Sequence, residues 1–278
     1  MTTIMVTNKI RSDFNNYLTN NDDYVWNNKS VSRNDIKIIN FIKLIKKGRH
    51  YCDNNKKPIT ISNAWDVSAA GDNSIIAWQS VSDKSILNIG CTKVIEANPD
   101  SMFMFAGFNN LTEINFNDMF TTSLVKDMKG FFSKCYRLVS LNLRGFDTQN
   151  VTRMEEMFEN CSSLKQVDVS SFCTDNVKNM ARMFTGCENL LSLDLSNFRT
   201  DNLEDMCGMF SLCNSLIYVD LSNFNTKNVT DFDEAFCECR NLSNLDLTSF
   251  DFSNATTSDM FWGTKWEKEQ PEAKLYTT

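Results

Sequence analysis

Short bursts of alternating apolar and polar residues recur through the second half of the chain: Leu141-Asn142-Leu143, Val167-Asp168-Val169, Leu193-Asp194-Leu195, Val219-Asp220-Leu221 and Leu245-Asp246-Leu247. Alternation has period two, which marks a strand with one buried face. Between the bursts a longer spacing takes over. Met180, Met183 and Phe184 stand at i, i+3 and i+4, the spacing of one apolar face of a short helix. The pairs Met157-Phe158 and Met209-Phe210 hold the same place in the neighbouring stretches. Asn150, Asn176, Asn202 and Asn228 sit where such helices would begin, and an asparagine side chain suits an N-cap because it accepts from the first free backbone N–H groups. The pattern predicts a short strand and a short helix in alternation.

The alternation keeps strict time. Cys135, Cys161, Cys187, Cys213 and Cys239 follow one another at intervals of 26 residues, each opening a phrase such as Cys187-x-x-Leu190-x-x-Leu193-Asp194-Leu195-x-x-Phe198. A period of roughly 20–29 residues is the leucine-rich-repeat range. The expected fold class is therefore α/β: a leucine-rich-repeat solenoid over residues 104–262 with a parallel sheet, one short strand and one short helix per coil. Coils in such a stack lie roughly 4.8 Å apart, each burying its apolar edge only against its neighbours. Phe108-x-x-Leu111-x-x-Ile114-Asn115-Phe116 is a divergent first coil with phenylalanine in the cysteine slot. Met260-Phe261 completes the last one, and Trp262, Trp266 and Pro271 lead into a C-terminal tail or cap at 263–278. Atypical terminal repeats are expected because they must close an open core.

From Leu193 through Cys213 the chain reads Leu-Asp-Leu-Ser-Asn-Phe-x-Thr-x-Asn-Leu-Glu-x-Met-x-x-Met-Phe-x-x-Cys. This phrase resembles the repeats of BspA-like leucine-rich-repeat proteins, and the resemblance covers about two-thirds of the chain. Ala64-Trp65-Asp66-Val67-Ser68, continuing to Ala77-Trp78, is similar to the leader that often precedes those repeats. It is expected to form a β-rich N-terminal cap over residues 63–103, with Gly71-Asp72-Asn73 as the turn between two strands. The resemblance implies surface adhesion and protein binding in proteins that are usually secreted or anchored. This chain departs from that pattern, because Met1 to Asn20 holds no apolar run of signal-peptide length. No run of about 18 apolar residues could span a membrane either. As the chain stands a cytoplasmic product is expected, while the resemblance allows a surface or secreted one.

Charge separates the two ends. Residues 1–63 carry 11 basic and 5 acidic side chains, residues 104–262 carry 12 and 22, and the whole chain is −7. A basic N-terminal module at 1–62 on an acidic array is the reading. Ser32 or Asn34 can cap a helix running through Ile38, Phe41, Ile42 and Ile45 to Gly48, making this a small helical region with Lys37, Lys43, Lys46, Lys47 and Arg49 along one side. Such a side is either a solvated helix face or a patch for nucleic acid or a membrane surface.

Chemistry is sparse. Five of the ten cysteines recur once per repeat beside core leucines, which points to reduced, buried packing residues rather than the disulfide framework of a short secreted chain. Cys237-x-Cys239 is the one close pair and has no second pair or histidine near it in sequence, so no metal is assigned. His50 is the sole histidine, and no phosphate loop or catalytic carboxylate motif is present. No catalytic residue, cofactor or small-molecule substrate is assigned, and the chain reads as no enzyme.

What remains is the strand surface. The middle residue of each Leu-x-Leu triplet points away from the core, which gives the column Asn115, Asn142, Asp168, Asp194, Asp220, Asp246. Stacked carboxylates repel one another unless neighbouring serines or a basic ligand compensate. Either Asp and the following Ser hydroxyls satisfy one another, or the column docks a cationic protein segment. The candidate protein-binding residues are Asp168, Asp194, Tyr218, Asp220 and Asp246, with Tyr218 and Ile217 as an anchor. Two functions are compatible with this: a non-enzymatic protein-binding repeat module, adhesin-like or an interaction scaffold, or an intracellular effector or inhibitor, for instance from a mobile element, whose acidic face blocks the basic groove of a nucleic-acid-binding enzyme.

Overall fold

The 26-residue interval is realised as registry between neighbouring stretches of chain. In the computed structural model, which describes residues 2–4, 24–25, 28–47, 50–53, 56, 58–59, 64–68 and 75–269, Asp127, Arg153, Asn179, Asp205, Asp231 and Thr256 bridge one to the next in parallel. On the other side of each repeat, Leu141 pairs with Val167 and Leu193 with Val219, again in parallel. The strands Ser140–Asn142, Gln166–Asp168, Ser192–Asp194 and Tyr218–Asp220 are each three residues long.

The helices are not formed. Strand accounts for 26% of the structure and helix for 3%, divided among several small sheets, which overturns the leucine-rich-repeat solenoid with a helix in every coil. Hydrogen bonding gives the reason. The N–H groups of Met180, Arg182 and Phe184 donate across to the carbonyls of Asp205, Cys207 and Met209, while those of Met183 and Cys187 turn back to Met180 and Phe184. Alternate donors thus leave for the neighbouring repeat, and no i→i−4 ladder can build. Arg182 and Gly186 have φ of 56° and 72°, the left-handed third position of a tight turn, which stops right-handed helix propagation. Two four-residue turns laid end to end place apolar residues at the same i, i+3, i+4 and i+7 as a helix does. The asparagines expected as N-caps have another role: Asn150, Asn176, Asn202 and Asn228 donate their side-chain amides to the carbonyls of Ser123, Gln149, Asp175 and Asp201 in the preceding repeat.

Three buried columns hold the repeats together. Phe105, Phe132, Phe158, Phe184, Phe210, Phe236 and Phe261 stack face to face with centroids 5.3 to 5.8 Å apart, and Trp266 closes the column at 4.5 Å. Trp266 belongs to the one α-helix among the described residues, Lys265–Glu269. Each buried phenylalanine contributes about 1.5–3 kcal/mol by leaving water. The recurring cysteines lie beside this column, unbridged, and their thiols donate to phenylalanine carbonyls of the preceding repeat, as Cys187 does to Phe158 at 3.2 Å. A threonine column, buried like the others, bonds forward: Thr200 Oγ1 donates to the Asn225 carbonyl at 3.2 Å and accepts from the Asn225 N–H at 2.8 Å.

At the N-terminal end the expected helix from Ile38 to Ile45 is instead two strands, Ile38–Lys43 and Ile45–Lys47. Burial alternates along the first, with Ile39 and Phe41 inside, which is the period of a sheet. Ser32 does cap, its hydroxyl accepting from the Asn34 N–H at 3.1 Å, but the element it opens is a single 3-10 turn, Arg33–Asp35. Strand Ile38–Lys43 lies between Glu113–Asn115 and Ile86–Cys91, parallel to both, in a five-stranded sheet completed by Ile75–Gln79 and Trp65–Asp66. It occupies the place of a repeat before the first one, and Phe41 meets Phe105 edge-on at 6.2 Å. The expected turn Gly71-Asp72-Asn73, the helix stop at Gly48 with Arg49, and Pro271 lie outside the described residues. Among the described residues no helix is long and apolar enough to cross a membrane.

Candidate functional site

The outward face of the strands is built by pairing alone. Leu193 and Val219 point into the core and are buried, so Ser192, Asp194, Tyr218 and Asp220 must point out. Register then sets Ser192 beside Tyr218 and Asp194 beside Asp220, and Asn244 bridges to Tyr218 from the next repeat. Tyr218 is thus an aromatic ring between two small polar neighbours, 46% exposed.

Beside it stand Leu191 and Ile217, 53% and 54% exposed. They belong to adjacent repeats tied by the Ile217 N–H donating to the Leu191 carbonyl at 3.0 Å. Leu191 and Ile217 are therefore neighbours, each standing just before the strand that carries the outward Ser192 and Asp194 or Tyr218 and Asp220. Sequence reasoning names Ile217 and Tyr218 but passes over Leu191, because an apolar residue directly after the buried Leu190 reads as core.

Each aspartate of the column is tied into its own repeat. Asp168 accepts from the Ser170 hydroxyl at 2.6 Å and N–H at 3.1 Å, Asp194 from the Ser196 N–H at 3.0 Å, Asp220 from the Ser222 N–H at 3.0 Å and Asp246 from the Thr248 N–H at 2.9 Å and hydroxyl at 2.7 Å. These bonds stabilise the charged form. The Ser196 hydroxyl and N–H hold Asp194 below the usual carboxylate range. For Asp220 the Ser222 N–H and hydroxyl prevail over desolvation and the smaller opposing push of Asp194 and Asp246. The side chains so satisfied are not neutralised, and the column remains a line of negative charge.

The five candidate residues are not equivalent. Asp194, Tyr218 and Asp220 share one two-stranded sheet, with Asp246 in the next repeat. Asp168 belongs to the neighbouring sheet, beside Asn142, and the Arg144 guanidinium lies 3.3 Å from its second oxygen. Toward the N-terminus the column turns from acid to amide and continues past the first repeat. Asn115 donates to Asn40 at 2.9 Å and Asn40 to Asn88 at 3.4 Å. The basic side expected of the N-terminal helix is carried by strands, with Lys43 and Lys46 exposed and His50 opposite Lys47. Among the described residues no group of three His, Cys, Asp or Glu side chains is placed to hold a metal ion.

The family described as Mycoplasma protein of unknown function, DUF285, matches residues 100–216 and, overlapping, residues 168–273. A strictly periodic sequence allows such double alignment. Together the matches take in every repeat and the whole column from Asp168 to Asp246. No curated protein and no solved structure matches the chain.

Proposed function

Since the chain belongs to the DUF285 family, whose description names no activity, we propose from the geometry of its strand face that it is a non-enzymatic protein-binding repeat module. The observation that carries this reading is the juxtaposition of exposed Leu191, Ile217 and Tyr218 with the ionised pair Asp194 and Asp220. Exposed apolar residues with a charged border are the anatomy of a protein contact, and an exposed tyrosine is a typical anchor. Negative charge sets the sign of the ligand: a cationic protein segment, attracted over a Debye length of roughly 8–10 Å in physiological salt. The wider repeat region, with 12 basic and 22 acidic side chains, supplies steering in the same direction.

Replacing Asp194 and Asp220 together by lysine tests it. Immobilised wild-type chain and the double variant are offered the same cell extract, and bound proteins are compared by mass spectrometry. Loss of the captured protein in the variant, with an unchanged thermal unfolding profile, is the expected outcome. Equal capture by a folded D194K/D220K variant would transfer the binding role to the basic end at Lys43, Lys46 and Lys47.

A further inference from the structure

We infer that the segment received by this face is a basic amphipathic α-helix lying along the stacking direction, across the strands rather than beside them. The inference rests on the protein-binding reading above and adds what the ligand must look like. Leu191, Ile217 and Tyr218 stand unpartnered on the outside of two adjacent repeats. Any occupant that covers all three must cross from one repeat to the next, where a carboxylate recurs at Asp194, Asp220 and Asp246 while Lys165 and Ser243 hold the places equivalent to Leu191 and Ile217 in the repeats on either side.

That recurrence has a measurable step. Ring centroids of successive phenylalanines between Phe105 and Phe261 are 5.3 to 5.8 Å apart, an upper bound on the step along the stack, and paired strands stand about 4.8 Å apart. An α-helix brings a side chain back to the same face every turn, about 5.4 Å. Lysines or arginines at i, i+4, i+7 and i+11 therefore advance in step with Asp168, Asp194, Asp220 and Asp246. Against the tighter spacing of the paired strands that carry Asp194 and Asp220 the mismatch is about 0.6 Å per turn, within reach of a flexible lysine stem. An extended segment returns to the same face only every 7 Å or so and a polyproline helix every 9 Å or so, so both lose register within two repeats.

The two sides of the face fix the amphipathic pattern as well as the pitch. The carboxylates stand at the ends of the strands and Leu191 with Ile217 just before their starts, so a helix that touches both carries its cations on one stripe and apolar residues on an adjoining one. Arg144 already occupies Asp168, which leaves Asp194, Asp220 and Asp246 as the strongest positions. Ser192 and Asn244 on either side of Tyr218 leave the ring free to enter the groove between two helical turns.

Two labelled peptides of identical composition test the inference by fluorescence anisotropy at low and physiological salt. One is an alanine-rich helix with lysines at i, i+4, i+7 and i+11 and leucines on the adjoining stripe. The other keeps the same residues but places its lysines evenly around the helix, and circular dichroism verifies that both are helical. The striped peptide is expected to bind about tenfold more tightly or better. That preference should vanish with the D194K/D220K chain and weaken with the Leu191→Ser, Ile217→Ser chain. Equal binding of both peptides by wild type, or binding of neither, overturns the helical ligand. The protein-binding reading is judged separately, by whether the same D194K/D220K chain still captures the protein taken from extract by the wild type.

Discussion

The two ends of the molecule solve the same packing problem with different chain connectivity. In the body a repeat rests on one 26 residues away, as Arg153 on Asp127. At the N-terminal end Glu113–Asn115 rests on Ile38–Lys43, and the bonds that join them, such as Asn115 to Asn40, span 75 residues. The contacts are alike in kind, with an aligned strand, an asparagine amide on a neighbouring carbonyl and a phenylalanine on a phenylalanine. Their entropic costs are not. Loop closure grows with length, and pairings distant in sequence form later than local ones. The local contacts of the body are therefore expected to form first, and the N-terminal closure after a long excursion of chain returns.

The sharpest probe of this difference is a pair of truncations. Phe184→Ala opens the centre of the phenylalanine column, where the ring is fully buried between Phe158 and Phe210, and should cost about 3–5 kcal/mol in chemical denaturation. Phe41→Ala opens the junction instead. Hydrogen exchange of the Phe41→Ala chain should lose protection in Ile38–Lys43 and Ile86–Cys91 while residues 180–261 keep theirs. Uniform loss along the whole chain would show that the closure and the body form one cooperative unit.

A smaller effect separates the turns from the strands. Gly186 has φ of 72°, and a Cβ placed there would lie 2.6 Å from Asn160 Oδ1. Gly186→Ala is expected to lose about 1–3 kcal/mol, measured as a lowered denaturation midpoint, whereas the fully open Gly145 should accept alanine with little change. Equal effects at both positions would remove the left-handed turn as a determinant of the body.

The cysteine column gives a third probe, through pH. Burial pushes the Cys135 thiol from 9.0 up to about 12 and raises Cys161, Cys187 and Cys239 as well. A raised folded pKa means the unfolded chain ionises first. Stability is therefore intact below pH 9 and falls as pH climbs from there toward 12, by up to about 1.4 kcal/mol per unit for each thiol. Thermal unfolding at pH 8 and pH 10 should show this fall, and Cys187→Ala should lessen it. An alkaline slope unaffected by that substitution would place the sensitivity elsewhere.

The spacing of this architecture was legible in the chain, but its fold class was not. The period, the buried Leu, Met, Phe and Cys columns and the pairing of Leu193 with Val219 all follow from spacing. The turns did not, because Met180, Met183, Phe184 and Cys187 satisfy both a helix and two successive turns. The glycines at 130, 186 and 208 were the available signal, since a left-handed position is what glycine tolerates and helices avoid. Nor could Ile38–Lys43 be read from its neighbours. Its sequence permits either period, and the choice is made by strands at Ile86–Cys91 and Glu113–Asn115. At the strand face the outward positions were visible from alternation, but not the Arg144 contact that sets Asp168 apart from Asp194 and Asp220.

The change of Asn115 and Asn142 into Asp168 and its successors gives the face one more property. An amide both gives and receives hydrogen bonds, so like can join like: Asn115 gives to Asn40 and Asn40 to Asn88, while Asn115 also gives to Glu113. A carboxylate only receives, so its neighbours of the same kind can never complete it. The strand face thus changes along the repeats from amides that bond one another to carboxylates that accept within their own repeat and stay charged. Whatever lies along it meets a direction as well as a surface, and a ligand reversed end for end would face a chemically different protein.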